Sequence, residues 1–134
     1  MRYSIPIYWR NKNSYYSIEI TKCRKCGKVA FFRRSICPFC SSREVEVIKS
    51  RGVGRVVSFT INYFRGDTNL EGYPRIIALI ELNEGIKIVG ELSDVKPEEV
   101  REGIEVEAVL RRYSSDDPYG LIYYGLKFIP RIKP

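Results

Sequence analysis

The sequence predicts a mainly β protein in two parts, a small metal-stapled unit followed by a barrel. Two Cys-x-x-Cys pairs, Cys23 with Cys26 and Cys37 with Cys40, are separated by ten residues near the amino terminus. Beyond residue 52, five strand-like runs follow one another, with one short helical segment between the third and the fourth. The cysteine pattern is typical of a rubredoxin-like zinc ribbon. The order of the strand-like runs is typical of a five-stranded OB-fold barrel.

The cysteine spacing predicts one structural Zn²⁺ with four thiolate ligands. Gly27 after the first pair supplies the positive φ that a tight turn requires, and Pro38 stiffens the second turn. The sequence contains no histidine that could replace a thiolate. A four-thiolate zinc has no open coordination position, so the metal is expected to be structural and not a Lewis acid. The predicted ligands are Cys23, Cys26, Cys37 and Cys40.

An aromatic-rich lead-in precedes the ribbon, which is expected over about residues 20–50. Residues 7–12 are predicted to form one or two helical turns, and residues 15–21 an extended approach to the first metal turn. Trp9 and the tyrosines of the lead-in have two possible roles, packing against the next domain or stacking on a flat ligand group. Strands of the ribbon are predicted over residues 29–32 and 44–48.

The chain changes from basic and cysteine-containing to long alternating β runs just after Arg51. We therefore place a domain boundary between residues 1–51, the lead-in with the ribbon, and residues 52–134, the barrel. Alternating residues in these runs place one face of each strand inside the barrel and the other in solvent. The five predicted strands cover residues 54–63, 75–82, 86–92, 104–113 and 121–128.

Turn residues separate the predicted strands. The sequence Asn-Glu-Gly at residues 83–85 predicts a short hairpin turn. Polar loops are expected over residues 66–72 and 114–118. Pro97 suits the first position of the short helix, and Gly103 ends that segment.

Composition excludes several kinds of catalysis. Without histidine the chain has no Ser-His or Cys-His nucleophile pair, and its four thiols are all assigned to zinc. Neighbouring carboxylates at Glu98, Glu99 and Glu102 are interpreted as a solvated helix face and not as a general acid and base. We therefore expect a binding protein and not an enzyme.

The sequence also suggests where in the cell the protein is located. No run reaches the roughly 20 apolar residues that cross a bilayer, and the start of the chain is too polar for a secretory signal. A cytoplasmic protein is expected, whose thiols bind metal in preference to forming disulfides. The absence of Gln and the abundance of Ile, Glu, Lys and Arg suggest a thermophile. Intracellular disulfides occur in such organisms and are the alternative for the cysteines.

Positive charge is concentrated in the ribbon half of the chain. Residues 1–51 carry twelve Lys and Arg against three Glu, whereas residues 52–134 carry eleven against thirteen Asp and Glu. Such a field attracts a polyanion, which could be nucleic acid, an acidic protein surface or a phosphate-rich cofactor. A solvated basic face without a partner is the plain alternative.

Single-stranded nucleic acid is one possible ligand of a basic ribbon beside an OB fold. Such folds combine a positive groove with aromatic side chains on which bases stack. The slightly acidic barrel half argues against a long track for phosphates. The residues available for this function are Tyr63, Phe64, Tyr73, Tyr113, Arg65, Arg75, Arg111 and Arg112.

The order of several loose motifs resembles one family over nearly the whole chain. Trp9 precedes Cys-x-x-Cys-Gly and Cys-Pro-x-Cys, which are followed by Gly-x-Val-x-Ser-Phe-Thr at residues 54–60, Pro-x-Ile-Ile-Ala at 74–78 and a terminal Leu-Lys-Phe-Ile-Pro. This order is similar to that of the acyl-CoA-associated zinc-ribbon/OB-fold family, long catalogued as a domain of unknown function. Archaeal members of that family partner acetoacetyl-CoA thiolase and 3-hydroxy-3-methylglutaryl-CoA (HMG-CoA) synthase. The resemblance implies a non-catalytic scaffold that contacts acyl-CoA.

The ribbon contains residues of the types that acyl-CoA would require. CoA offers an adenine for stacking, phosphates for Arg and Lys, and an apolar acyl-pantetheine arm. A basic ribbon docked on an acidic enzyme surface would use the same side chains. The candidate phosphate-binding residues are Arg24, Lys25, Lys28, Arg33 and Arg34, and the candidate apolar residues are Trp9, Phe31, Phe32 and Phe39.

Overall fold

The computed structural model describes residues 5–31, 33–63, 74–115 and 122–132. Within them the protein is mainly β, which confirms the predicted fold class. A single 3₁₀ turn, Pro97–Glu99, lies between the third and fourth barrel strands. The elements are α1 (Ile5–Arg10), α2 (Lys12–Tyr16), β1 (Glu19–Cys23), β2 (Val29–Phe31), β3 (Val45–Lys49), β4 (Val53–Asn62), β5 (Arg75–Leu82), β6 (Lys87–Leu92), β7 (Glu105–Ser115) and β8 (Ile122–Pro130).

Two compact units make up the chain. The first comprises Met1–Gly52 with Leu110–Leu126, and the second comprises Val53–Val109 with Lys127–Pro134. The strands β7 and β8 therefore each contribute residues to both units. The sequence predicted a single division after residue 51, and this domain boundary stays a prediction.

The ribbon is a three-stranded antiparallel sheet in which β1 lies between β2 and β3. Ile20 in β1 pairs with Phe31 on one side and Ile48 on the other, and it is completely buried. Thr21 is also buried, and its hydroxyl oxygen accepts a hydrogen bond from the backbone N–H of Arg34 at 2.9 Å. The sequence predicted only an extended approach to the metal here. The structure makes this segment the central strand.

The lead-in is more helical than predicted. Helix α2 continues through Tyr16, where the sequence predicted extended chain from residue 15 onward. The hydroxyl of Tyr8 donates a hydrogen bond to the carbonyl of Tyr124 at 2.5 Å and accepts one from the N–H of Tyr124 at 3.2 Å. Trp9 is 68% exposed, and its choice between packing and stacking stays a prediction. A tyrosine hydroxyl therefore ties α1 to β8.

The barrel is closed, with strand order β4-β5-β6-β8-β7. Strand β4 pairs antiparallel with β5 and with β7, and β5 pairs antiparallel with β6, whereas β6 and β8 pair in parallel where Leu92 lies opposite Phe128. Strand β5 alternates as the sequence predicts, because every second residue is buried. The buried side chains of the barrel include Val56, Ile76, Ala78, Ile80, Leu82, Ile86, Ile88, Leu92, Val100, Val106 and Phe128.

A register shift interrupts the alternation of β4 between Val56 and Ser58. Val56 is buried before the shift, whereas Ser58 and Thr60 after it are exposed. A bulge of this kind bends a strand and is common in barrels. The sequence predicted unbroken alternation through this segment and missed the bulge.

The segment between β6 and β7 agrees with the sequence, although its helix is one 3₁₀ turn. Pro97 occupies the start of that turn, and Gly103 after it has φ of 86°. Strand β7 continues through Ser115, so the predicted loop at 114–118 begins at least two residues too early. The rest of that loop and the loop predicted at 66–72 lie outside the described residues. No helix in the described parts of the chain is long and apolar enough to cross a membrane.

Candidate metal centre and basic ribbon surface

The structure brings the four predicted ligands together. The Sγ atoms of Cys23 and Cys40 are 3.5 Å apart, those of Cys26 and Cys37 are 3.7 Å apart, and all four lie within 4.8 Å of one another. Four sulfurs placed tetrahedrally at about 2.3 Å from Zn²⁺ would be separated by about 3.8 Å. The residues therefore fit a four-sulfur zinc site with no position left for a substrate.

Two similar turns position these ligands. In the first, the N–H of Gly27 donates to the carbonyl of Cys23 at 3.1 Å. In the second, the N–H of Ser41 donates to the carbonyl of Cys37 at 3.0 Å. Gly27 has φ of 72° and Ser41 has φ of 57°, so both turns end in the left-handed region. The sequence predicted this conformation only for Gly27, because serine pays roughly 1–2 kcal/mol for it.

The cysteine cluster favours negative charge on some sulfurs but not on all of them. Chiefly because the N–H of Cys26 donates to its sulfur, the pKa of Cys23 is lowered to about 6. The pKa of Cys37 is lowered as well, chiefly by the N–H of Cys40. The N–H of Ser42 lowers the pKa of Cys40, but burial and the neighbouring thiols outweigh it and raise that pKa to about 12. A divalent cation at the centre would stabilise all four thiolates, including that of Cys40.

The basic candidates of the ribbon are directed to different contacts. Arg24 forms an exposed ion pair with Glu46 at 3.4 Å. The side chain of Arg34 donates to the carbonyl of Phe31 at 3.4 Å. The ammonium of Lys28 lies 5.0 Å from the centre of the Phe39 ring. Lys25 and Arg33 are exposed.

The aromatic candidates are also spread over the first unit. Trp9 has the ammonium of Lys12, and not a ribbon cation, 4.0 Å from its ring centre. Phe31 is half-buried in β2, and Phe32 lies outside the described residues. The structure thus unites the metal ligands, whereas a single acyl-CoA site built from the other candidates stays a prediction.

Exposed apolar residues on the second metal turn were underestimated from the sequence. Phe39 is 56% exposed and Ile36 is 48% exposed. Sequence reasoning named Phe39 as a candidate apolar residue but missed Ile36. The position of Ile36 next to Cys37 could have predicted its exposure. In so short a turn the ligands point inward, and the side chains beside them have no core to enter.

The barrel unit carries a groove of about 630 Å³ beside the 3₁₀ turn. Its charged lining is mixed, with Arg55 and Arg131 beside Glu99 and Glu105. Arg55 pairs with Glu105 at 3.6 Å, which leaves less positive charge for an anionic ligand. The groove therefore suits a phosphate-rich ligand less well than the ribbon does.

The residues proposed for nucleic acid are only partly described. Tyr63 is 67% exposed after the end of β4, and Arg75 is exposed at the start of β5. Arg112 is exposed on β7, and Arg111 is half-buried there. Phe64, Arg65 and Tyr73 lie outside the described residues, as does the side chain of Tyr113.

Comparison with known proteins agrees with this architecture. Residues 16–46 match a family model described as the rubredoxin-like zinc ribbon domain of ChsH2, and residues 48–111 match its C-terminal OB-fold domain. A DUF35 domain-containing scaffold protein of Pyrococcus furiosus is 42% identical over 128 residues, which cover 94% of this chain and 92% of that protein. This chain belongs to the DUF35 family. Its zinc-ribbon and OB-fold parts follow each other in the order that the family models describe.

Other similar proteins carry more specific names. The benzoylsuccinyl-CoA thiolase subunit BbsA of Thauera aromatica is 33% identical over 71 residues, which cover 53% of this chain and 48% of that protein. A chain of the solved structure named Ltp2-ChsH2(DUF35) aldolase superimposes with a TM-score of 0.69 and 22% identity, covering 97% of this chain and 96% of that one. This structural likeness shows that the two chains share a fold.

Proposed function

We propose that this DUF35 protein is a non-catalytic scaffold that joins thiolase-type and HMG-CoA synthase-type condensing enzymes and holds their acyl-CoA intermediate. The observation that carries the proposal is the 42% identity, over almost the full length, to a protein named as a scaffold. A relative named as a thiolase subunit and a structural neighbour named as part of an aldolase support the class of partner.

The chemistry of the chain supports a role without catalysis. The four sulfurs fit a closed metal site that would stabilise the ribbon and offer no position to a substrate. The sequence supplies no histidine for acid-base or nucleophilic catalysis. Recognition through the surface is the remaining use of the ribbon.

Acyl-CoA would be held by the basic ribbon. Arginine and lysine suit the 3′-phosphate and the pyrophosphate, and aromatic side chains suit the adenine. Lys25 and Arg33 are exposed, which leaves their side chains accessible to an anionic ligand. The proposed contacts are Arg24, Lys25, Lys28, Arg33 and Arg34 for the phosphates, and Trp9, Phe31 and Phe32 for the apolar parts of the ligand.

Calorimetric titration of the zinc-loaded chain with acetoacetyl-CoA tests the ligand. Replacing Arg33 and Arg34 together by alanine is expected to weaken binding at least tenfold, which corresponds to about 1.4 kcal/mol. Arg101→Ala is the matched control, because Arg101 is also exposed but lies beside the 3₁₀ turn of the barrel. Equal affinities of the double variant and the control would contradict the ribbon as the CoA site.

Size-exclusion chromatography tests the scaffold role. The purified chain is mixed with a purified thiolase and a purified HMG-CoA synthase from the same organism, singly and together. A complex that contains both enzymes only when the chain is present is the expected result. Failure of the chain to comigrate with either enzyme would refute the scaffold.

Single-stranded nucleic acid is the second candidate. Tyr63 supports it, because an aromatic side chain that is 67% exposed beside β4 could stack on a base. The same titration with a short RNA or DNA oligonucleotide at moderate salt separates the two functions. Oligonucleotide binding without a response to acetoacetyl-CoA would favour this second function over the first.

A further inference from the structure

The second metal turn presents three neighbouring apolar side chains to solvent. Ile36, Pro38 and Phe39 are all exposed, whereas Cys37 between them is only 2% exposed. We call these three exposed residues the knuckle tip. Exposed Ile and Phe together on so small a turn form a patch of the kind that marks an interaction surface.

The backbone holds the knuckle tip outward. The N–H of Cys37 donates to the carbonyl of Ser42 at 2.9 Å, and the N–H of Ser41 donates to the carbonyl of Cys37 at 3.0 Å. Cys37 and Cys40 point to the sulfur cluster, so the residues next to them must point away from it. A rigid apolar group loses little conformational entropy on binding, which favours its use as an anchor.

The segment of chain that carries the knuckle tip is rich in Lys and Arg. Residues 20–43 contain seven Lys and Arg and no Asp or Glu. One of these cations, Lys28, lies 5.0 Å from the ring centre of Phe39 and so belongs to the same surface. The complementary surface is therefore an apolar pocket with carboxylates around its rim.

Charge alone would also suit a nucleic acid, but the apolar residues favour a protein. Phe39 could stack on a base, whereas the aliphatic side chain of Ile36 offers no flat face for stacking. Burying an exposed Ile or Phe side chain favours binding only when the pocket excludes water from it. Pockets of this kind are a feature of protein interfaces.

We propose that the knuckle tip is the anchor with which this chain docks into an acidic-rimmed apolar pocket on its condensing-enzyme partner. The inference rests on the proposed scaffold function and adds the surface that makes the contact. The anchor residues differ from the five cations assigned to acyl-CoA, although Lys28 lies beside Phe39, so Ile36 and Phe39 can be changed while all five cations remain.

Affinity for a purified thiolase-type enzyme tests the proposal, measured by calorimetry with the full-length, zinc-loaded chain. The double variant Ile36→Ser with Phe39→Ser is expected to bind at least a hundredfold more weakly. Val89→Ser is the matched control, because Val89 is 71% exposed on β6 of the barrel unit and its loss should leave affinity unchanged. Phe39→Leu keeps an apolar side chain and should retain binding within about threefold.

Zinc content shows whether the double variant keeps an intact ribbon. It should equal that of the unchanged chain, so that a loss of enzyme binding belongs to the knuckle tip. Phe39→Leu and Phe39→Ser as single changes test the proposal if the double variant loses its zinc. Leucine keeps an apolar side chain, so Phe39→Leu should bind the enzyme more tightly than Phe39→Ser. Equally weak binding of these two variants would refute the proposal.

The possible results separate this proposal from the scaffold function. When the unchanged chain and the double variant bind the enzyme equally, the anchor is refuted and the scaffold stands. When the unchanged chain binds no condensing enzyme, both are refuted. A double variant that keeps its affinity for the enzyme but loses an oligonucleotide would reassign the knuckle tip to nucleic acid.

Discussion

The ribbon and the barrel obtain their stability from different sources. In the ribbon, the buried side chains include Ile20 and Thr21 from one central strand, together with two predicted metal ligands, Cys23 and Cys37. In the barrel, apolar side chains from all five strands fill one interior. The ribbon is thus centred on a metal site, whereas the barrel is centred on hydrophobic burial.

This difference bears on how many apolar side chains each part needs in its interior. A unit of about 30 residues buries too little apolar area to fold alone, so we expect metal binding to take the place of a core. Apolar residues such as Ile36 and Phe39 are then available at the surface, because the ribbon fold does not need them inside. The barrel buries aliphatic side chains such as Ile80 and Leu82 in its interior and also exposes others, among them Val89 and Ile132.

Metal removal should have the largest effect, because it is expected to unfold the ribbon and leave the barrel folded. Chelation under reducing conditions is expected to remove on the order of 10 kcal/mol from the ribbon, which would unfold it. Amide hydrogen exchange would then become fast at Ile20 in β1 and stay slow at Ile80 in β5. Restoring Zn²⁺ should restore protection at Ile20. Slow exchange at Ile20 without metal would show that the ribbon has a sufficient core of its own.

Gly90→Ala should damage the barrel and spare the ribbon. A Cβ at residue 90 would lie 2.6 Å from two ring atoms of Phe128, which is only 2% exposed. Overpacking of this kind typically costs about 1–3 kcal/mol, and denaturant unfolding of the barrel would measure it. Val89→Ala is the control, since an exposed neighbour should change stability by less than about 0.5 kcal/mol. Equal effects of the two changes would mean that the barrel interior adjusts freely at this point.

Tyr8→Phe should have the smallest effect, confined to the first unit. The variant loses the hydroxyl that bonds both the carbonyl and the N–H of Tyr124, at a cost of about 1 kcal/mol. Faster amide exchange at Tyr124 is the expected observation, with that at Ile80 unchanged. Tyr16→Phe is the control. The Tyr16 hydroxyl lies 3.4 Å from that of Tyr8, and within the described residues it forms no hydrogen bond with β8. Unchanged exchange at Tyr124 in Tyr8→Phe would contradict the role of this hydroxyl.

Much of the fold was predictable because its signals are local in the sequence. The spacing of Cys23, Cys26, Cys37 and Cys40 indicated which side chains would meet, and the structure brings their sulfurs within 4.8 Å of one another. Alternation predicted the buried face of β5, and Pro97 with Gly103 marked the short turn before β7. In each case neighbouring residues carry both the pattern and its physical cause.

The features that the sequence missed depend on distant residues. The central position of β1 follows from its pairing with both β2 and β3, and the bulge in β4 follows from its register with β5. The conformation of Ser41 was missed because it is set by the metal turn and not by serine itself.

By itself, the sequence determined the kind of metal site, the order of the two parts and the concentration of positive charge in the ribbon half. Those properties depend on residue type and spacing. Only the tertiary structure decided that Tyr8 bonds Tyr124, 116 residues away, and that Lys28 lies over Phe39 while Arg24 pairs with Glu46. These contacts depend on where strands and turns bring side chains in space, and no local pattern contains that information.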